Sequence, residues 1–158
     1  MPAIGSPAPD FTVPGVDGTE EGRRDYTLSA YRGQPVVLAF YPGDDTPVCT
    51  RQLNAYTAEI DEFAEVGAQL LAISPQDVDS HERFADKQGG FGFPLLADTD
   101  KAVGEAYGII GPIGFYRRSI FVVDAAGDIA YSHRAIAGLT FRPTAELVDA
   151  VEKSKNPG

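Results

Sequence analysis

One cysteine is present in the whole chain, Cys49, in the run Phe40-Tyr41-Pro42-Gly43-Asp44-Asp45-Thr46-Pro47-Val48-Cys49-Thr50. An ionised thiol is a strong nucleophile and is open to oxidation, so the first question is whether the surroundings favour the thiolate. Thr46-Pro47 reads as a helix start, with a hydroxyl cap followed by proline at the first helical position. Cys49 then lies in the first turn, where N–H groups without intrahelical partners and the helix dipole stabilise negative charge. The bland alternative is an inert buried thiol, because free cysteine behaves as a small hydrophobe. Position favours that alternative, since Cys49, Leu53, Tyr56, Ile60 and Phe63 share one apolar helical face.

A single cysteine also limits the chemistry. It forms no disulfide within the chain, no C-x-x-C redox pair and no cysteine-rich zinc site. A cysteine hydrolase needs a histidine beside the sulfur, and neither His81 nor His133 sits in a pattern that puts it there. Both histidines are expected at the surface or in structural roles, Tyr41 in the core and Arg51 in solvent. Redox chemistry at Cys49 must finish on another molecule.

The elements that position Cys49 alternate between strand and helix. Pro35–Tyr41 is a continuous apolar run, as in a strand buried on both faces, and Ala68–Ile73 and Ser119–Val123 read the same way. Asp124–Asp128 reads as a hairpin turn into Ile129–Ser132. The helix that starts at Thr46-Pro47 runs to Gly67. Asp79-Ser80 opens a second helix to about Lys87, closed by Gly89-Gly90. A short third spans about 101–107, and Pro143 begins a fourth to about Lys153. Residues 2–30, rich in Pro, Gly and Asp, form an N-terminal extension of short strands or a hairpin. The expectation is an α/β protein with a central mixed sheet flanked by helices, parallel central strands and an antiparallel terminal hairpin. Open sheets of this class bind ligands at the carboxyl ends of strands, beside helix starts, which is where Cys49 falls.

A length of 158 residues fits a single domain, 1–158, and 43% apolar with 23% charged residues is an ordinary globular balance. The net charge of −10 argues against nucleic acid as a partner. No apolar run approaches the ~20 residues of a membrane span. Met1–Gly5 lacks the basic and apolar stretches of a signal peptide, so a cytoplasmic protein is expected.

Pro42, Thr46 and Cys49 make the pattern P-x-x-x-T-x-x-C, and the run containing it resembles the active-site loop of the peroxiredoxins. The resemblance continues through Gly5–Phe11, which looks like the family's N-terminal strand. It extends through Ser80-His81, Phe84, Lys87 and Phe93–Asp98, then Tyr107-Gly108 and Arg118–Asp124. The subgroup most resembled is the Q-type, related to bacterioferritin comigratory protein. The resemblance implies a thioredoxin-like fold with an N-terminal extension, and thiol-dependent reduction of hydrogen peroxide or alkyl hydroperoxides without cofactor or metal. It implies Cys49 as the peroxidatic thiolate, Thr46 as the hydroxyl between sulfur and peroxide, and Pro42 as a shield from water. Arg118 would hold the thiolate and the peroxide oxygens. Arg117 and Arg118 face opposite ways on a strand, and the motif register selects Arg118.

Two positions depart from the Q-type pattern. Asn54 stands where many members carry a second cysteine, and Gln52 where many carry glutamate. Without a second thiol, the oxidised sulfur must be recycled by an external reductant, either a small thiol or a thioredoxin-like or glutaredoxin-like protein. A monomer and a homodimer both fit, and a redox sensor or holdase would use the same cysteine. An ordinary thiol with a pKa of ~8.5 is already about 5–10% ionised near neutral pH, so full ionisation gains at most roughly 10–20-fold. Fast peroxide reduction therefore needs hydrogen bonds placed for the transition state.

Overall fold

The computed structural model describes residues 1–17, 22–135 and 140–155. Residues 18–21 of the N-terminal extension lie outside that set. Seven strands form one sheet: β1 (Thr12–Val16), β2 (Arg23–Thr27), β3 (Val36–Phe40), β4 (Gln69–Ser74), β5 (Leu95–Ala97), β6 (Ser119–Val123) and β7 (Ile129–Arg134). Their order is β2-β1-β5-β4-β3-β6-β7. The β3–β4 and β4–β5 pairs are parallel, while β3–β6, β6–β7, β1–β5 and β1–β2 are antiparallel. The mixed sheet, the N-terminal hairpin and the terminal hairpin expected from the sequence are all present. Gly5–Phe11 is not a regular strand; it contributes one isolated bridge, Pro7 to Asp128.

The apolar runs are continuous because both sheet faces are covered. Val37, Ala39, Leu70, Ala72, Ile120 and Val122 face one cluster, which also holds Cys49, Leu53, Tyr56, Phe63, Phe84, Leu147 and Val151. Val36, Leu38, Phe40, Leu71, Ile73, Phe121 and Val123 face the other, with Leu28, Val103, Tyr107 and Ile109. Burying one such aliphatic or aromatic side chain contributes about 1.5–3 kcal/mol, so central strands interleaved with polar residues would forfeit one of the two layers.

Helices α1 (Pro47–Ala58), α2 (Ile60–Glu65), α3 (Val78–Lys87), α4 (Ala102–Ala106) and α5 (Thr144–Ser154) account for the helical segments. Three expectations need correction. The helix expected from Thr46-Pro47 to Gly67 is two, interrupted at Glu59, where Glu62 N–H closes on the Glu59 carbonyl one residue short of an α turn. The apolar face survives the break: Cys49, Leu53, Tyr56 and Phe63 are all buried. Gly67, at φ 71°, stops α2 as expected, with Gly67 N–H on Ala64 O and Ala68 N–H on Phe63 O. Second, α3 begins earlier than Asp79-Ser80: Asp77 is its cap and accepts from Ser80 N–H at 2.9 Å. The third correction concerns Thr46. It occupies the cap position of α1 with extended backbone, but its hydroxyl makes no capping bond. It turns back and donates to the Gly43 carbonyl at 3.1 Å.

Candidate active site

Strand β3 delivers the chain to Tyr41, the five-residue loop 42–46 follows, and α1 presents Cys49 in its first turn. Tyr41 points to the same sheet face as Val37 and Ala39, and so does the apolar side of α1; Cys49 is therefore fully buried between helix and sheet. Across the sheet, Arg118 immediately precedes β6, the antiparallel neighbour of β3. Its guanidinium donates from Nη2 to Cys49 Sγ at 3.2 Å, over a sequence separation of 69 residues. The residue is only 4% exposed, which places its charge beside the sulfur with little water to screen it. Arg117, its neighbour, is partly exposed and makes no such contact, as strand alternation requires.

Arg118 is itself oriented. Its Nη1 makes a short hydrogen bond to Gln52 Oε1, and Gln52 is fully buried one helical turn beyond Cys49. Gln52 Nε2 in turn donates to Tyr56 Oη at 3.4 Å, and Tyr56 donates its hydroxyl to the Arg142 carbonyl at 2.7 Å. Burial pushes the Tyr56 phenol up to about 12, so it remains a donor through the neutral range. The neutral Gln52 thus performs the positioning that a glutamate would perform with charge, using its carbonyl toward Arg118 and its amide toward Tyr56. The chain of bonds ties Cys49 to the segment leading into α5.

That segment is held by an ion pair. Arg142 Nε lies 2.7 Å from Glu146 Oε2, Tyr131 donates to the same carboxylate, and the arginine holds the Glu146 carboxyl down at about 2. A carboxyl lowered on folding stabilises the native state above its ordinary value of 4.5 and loses that contribution as pH falls toward 2. Thermal melting against pH should therefore show wild type losing its advantage over Glu146→Gln between those values; parallel curves would contradict the pairing.

The loop side of the site carries Pro42, half-buried, and Thr46, exposed, its methyl group near Gly43. Asp45 adopts φ 64°, a left-handed turn that aspartate tolerates better than most residues, and its carboxylate meets Lys87 Nζ at 3.0 Å. All four residues singled out from the sequence therefore lie on this loop, in the first turn of α1 or at the facing strand end. Arg51 is exposed and Tyr41 is buried, as expected.

Sequence reasoning missed the residues beneath the loop. His81, expected at the surface or in a structural role, is fully buried, with Nδ1 2.7 Å from Asp44 Oδ2. Tyr41 donates its hydroxyl to Asp44 Oδ1 at 2.7 Å, and burial, followed by the Asp44 charge, holds that phenol well above its usual range. A signal was available: Val78, His81, Phe84 and Ala85 recur at helical spacing, which puts His81 on the inward face of α3. Among the described residues no cluster of three or more His, Cys, Asp or Glu could hold a metal, and no helix is long and apolar enough to cross a membrane.

Comparison with known proteins decides what this arrangement belongs to. The model of the AhpC/TSA family matches residues 4–132. The chain belongs to that family. It is 36% identical over 136 residues to a peroxiredoxin of the rubredoxin operon of Clostridium pasteurianum, covering 82% of this chain and 76% of the relative. It is 40% identical over 131 residues to a peroxiredoxin of Thermoplasma volcanium, covering 78% of this chain but only 62% of that longer protein. The fold matches that of AhpC from Mycobacterium tuberculosis with a TM-score of 0.90 at 22% identity, over 99% of this chain and 95% of the other. The fold is thus the thioredoxin-like peroxiredoxin fold, and the chain is a thiol peroxidase of the peroxiredoxin family.

Proposed function

We propose that this peroxiredoxin reduces hydrogen peroxide and alkyl hydroperoxides through a sulfenic acid on Cys49, which an external thiol returns to the thiolate. Carrying this reading is the Arg118 guanidinium, a buried cation 3.2 Å from the Cys49 sulfur beside an apolar layer. The thiolate attacks the terminal oxygen of the hydroperoxide, an S–O bond forms, and the O–O bond breaks. The oxygen keeps its hydrogen as Cys–S–OH, and the departing oxyanion takes a proton from solvent to leave as water or alcohol. Arg118 faces the charge throughout and stabilises it where it builds up, on the leaving oxygen.

Thr46 has its hydroxyl hydrogen committed to the Gly43 carbonyl, so Oγ1 offers lone pairs to accept the hydroperoxide O–H and aim its terminal oxygen at the sulfur. Pro42, without an N–H and half-buried, walls the pocket against water. Replacing Thr46 with Val keeps the shape and removes the hydroxyl. We expect the second-order rate with peroxide to fall about 100-fold, as for loss of one transition-state hydrogen bond, with iodoacetamide alkylation of Cys49 little changed. A loss that merely followed the thiolate fraction across pH would contradict this role.

The chain has one cysteine, and Asn54, at the position of the Q-type second cysteine, bonds through its amide to Gln88 Oε1. The sulfenic acid then meets an outside thiol, giving a mixed disulfide and water; a second thiol releases Cys49 and carries away the disulfide. The reading is of a one-cysteine, Q-type-like enzyme acting as a single domain in the cytoplasm, as monomer or homodimer, with a small thiol or a thioredoxin-like or glutaredoxin-like protein as reductant. A net charge of −10 disfavours nucleic acid as a partner. A turnover assay pairing several peroxides with several thiols tests it. Sustained peroxide consumption with a small or protein thiol is expected; a Cys49 that never oxidises in any pairing would overturn it.

A further inference from the structure

We propose that Asp44 and His81 are positioning residues for peroxide attack, a buried proton-sharing clamp that fixes the loop carrying Thr46 relative to Cys49. The inference rests on the thiol-peroxidase reading, and neither residue touches the sulfur.

The argument begins with donors and acceptors. His81 Nε2 lies 2.8 Å from the Leu96 carbonyl, which only accepts, so Nε2 carries a hydrogen. Nδ1 lies 2.7 Å from Asp44 Oδ2, and two lone pairs cannot share that distance, so a second proton lies between them. Tyr41 and Ser80 each have a hydroxyl hydrogen to give, and both give it to Asp44, at 2.7 Å to Oδ1 and 2.8 Å to Oδ2. Three side chains thus converge on one carboxylate, and both ring nitrogens of His81 are engaged. The histidine side chain is 0% exposed and the aspartate 4%. A pair so deeply buried is costly to desolvate, and its geometry must be fully satisfied for the fold to retain it.

The clamp joins three elements, and the Lys87–Asp45 pair links the loop to α3 a second time. Asp44 lies in the loop, His81 and Ser80 on α3, and Leu96 on β5. The backbone N–H of Asp44 is held as well, by Gln76 Oε1 at 3.0 Å, and that oxygen also receives the Ser74 hydroxyl at 2.7 Å. On one side of Asp44 lies Gly43, whose carbonyl takes the Thr46 hydroxyl; on the other lies Asp45 in its left-handed turn. Fixing Asp44 therefore fixes the carbonyl that orients Thr46 Oγ1. Alkylation of Cys49 needs the thiolate and Arg118 alone, whereas peroxide attack also needs Thr46 in register.

The test compares Asp44→Ala and Asp44→Asn with wild type by two reactions of Cys49. Alanine removes the clamp. Asparagine keeps part of it, because its amide can donate to a neutral His81 Nδ1. The expected order of peroxide rates is wild type, then Asp44→Asn, then Asp44→Ala at least tenfold below wild type, with iodoacetamide rates within threefold of one another. A folded Asp44→Ala that meets peroxide at the wild-type rate would overturn the proposal, and so would equal losses in both reactions, which mark a merely structural role. Nitrogen-15 NMR of the His81 ring provides an arm independent of activity, and it needs only wild type and the conservative variant if alanine prevents folding. Both ring nitrogens should be protonated in wild type near neutral pH, and Nδ1 should lose its proton in Asp44→Asn; a single protonated ring nitrogen in wild type contradicts the clamp. Absence of any peroxide reaction in wild type, with both ring protons present, would instead count against the peroxidase reading.

Discussion

Cys49→Ser will abolish peroxide consumption while the protein still melts cooperatively. A serine hydroxyl at the same position is close in volume to the thiol and can accept from Arg118 Nη2, so the buried layer around it is preserved. It is not preserved as a nucleophile toward an O–O bond, because an alkoxide is far harder to form than a thiolate and lacks the polarizable sulfur. The expected loss is complete against background, measured by peroxide consumption in catalase-free protein. Retained turnover would remove Cys49 from the centre of the mechanism.

Arg118→Ala should cost nearly as much, about 100- to 1,000-fold in the second-order rate with peroxide. At 3.2 Å and an effective dielectric of ~20, a unit cation and anion attract by roughly 5 kcal/mol before desolvation is counted. Part of that attraction stabilises the thiolate and so acts before the reaction; the remainder follows the charge onto the leaving oxygen. The variant should therefore lose rate in both alkylation and peroxide oxidation, with the larger loss toward peroxide. Gln52, left with its carbonyl buried and without that donor, should also lower the melting temperature. Arg117→Ala, at the partly exposed neighbouring position, is expected to change either rate by less than threefold. The reverse ranking of the two arginines would show that the register of β6 had been misread.

Much of this arrangement is legible in the sequence. Three apolar runs announced the central strands because strands buried on both faces need no polar alternation, and Thr46-Pro47 marked the start of α1 through proline's fixed φ and missing N–H. The choice of Arg118 over Arg117 followed from strand alternation with the motif register. What could not be read is of a different kind. The hydroxyl of Thr46 donates to the Gly43 carbonyl rather than accepting from a helix N–H as a cap, a choice between local partners that sequence does not rank. The break at Glu59 leaves the apolar spacing intact, so periodicity alone passes over it. Asp44 and His81 are 37 residues apart, and polar pairs at that separation leave no periodic trace; only the inward face of α3 hinted that His81 was buried.

The central claim is that Cys49 takes one oxygen from peroxide and then waits for a thiol from outside the chain. Intact-mass spectrometry under non-reducing conditions measures this directly. Protein treated with one equivalent of hydrogen peroxide should gain one oxygen at monomer mass, go on to the two- and three-oxygen forms with excess peroxide, and convert to a one-to-one adduct when a small thiol is added. An unmodified Cys49, or rapid and complete conversion to a Cys49–Cys49 disulfide dimer, would contradict the account.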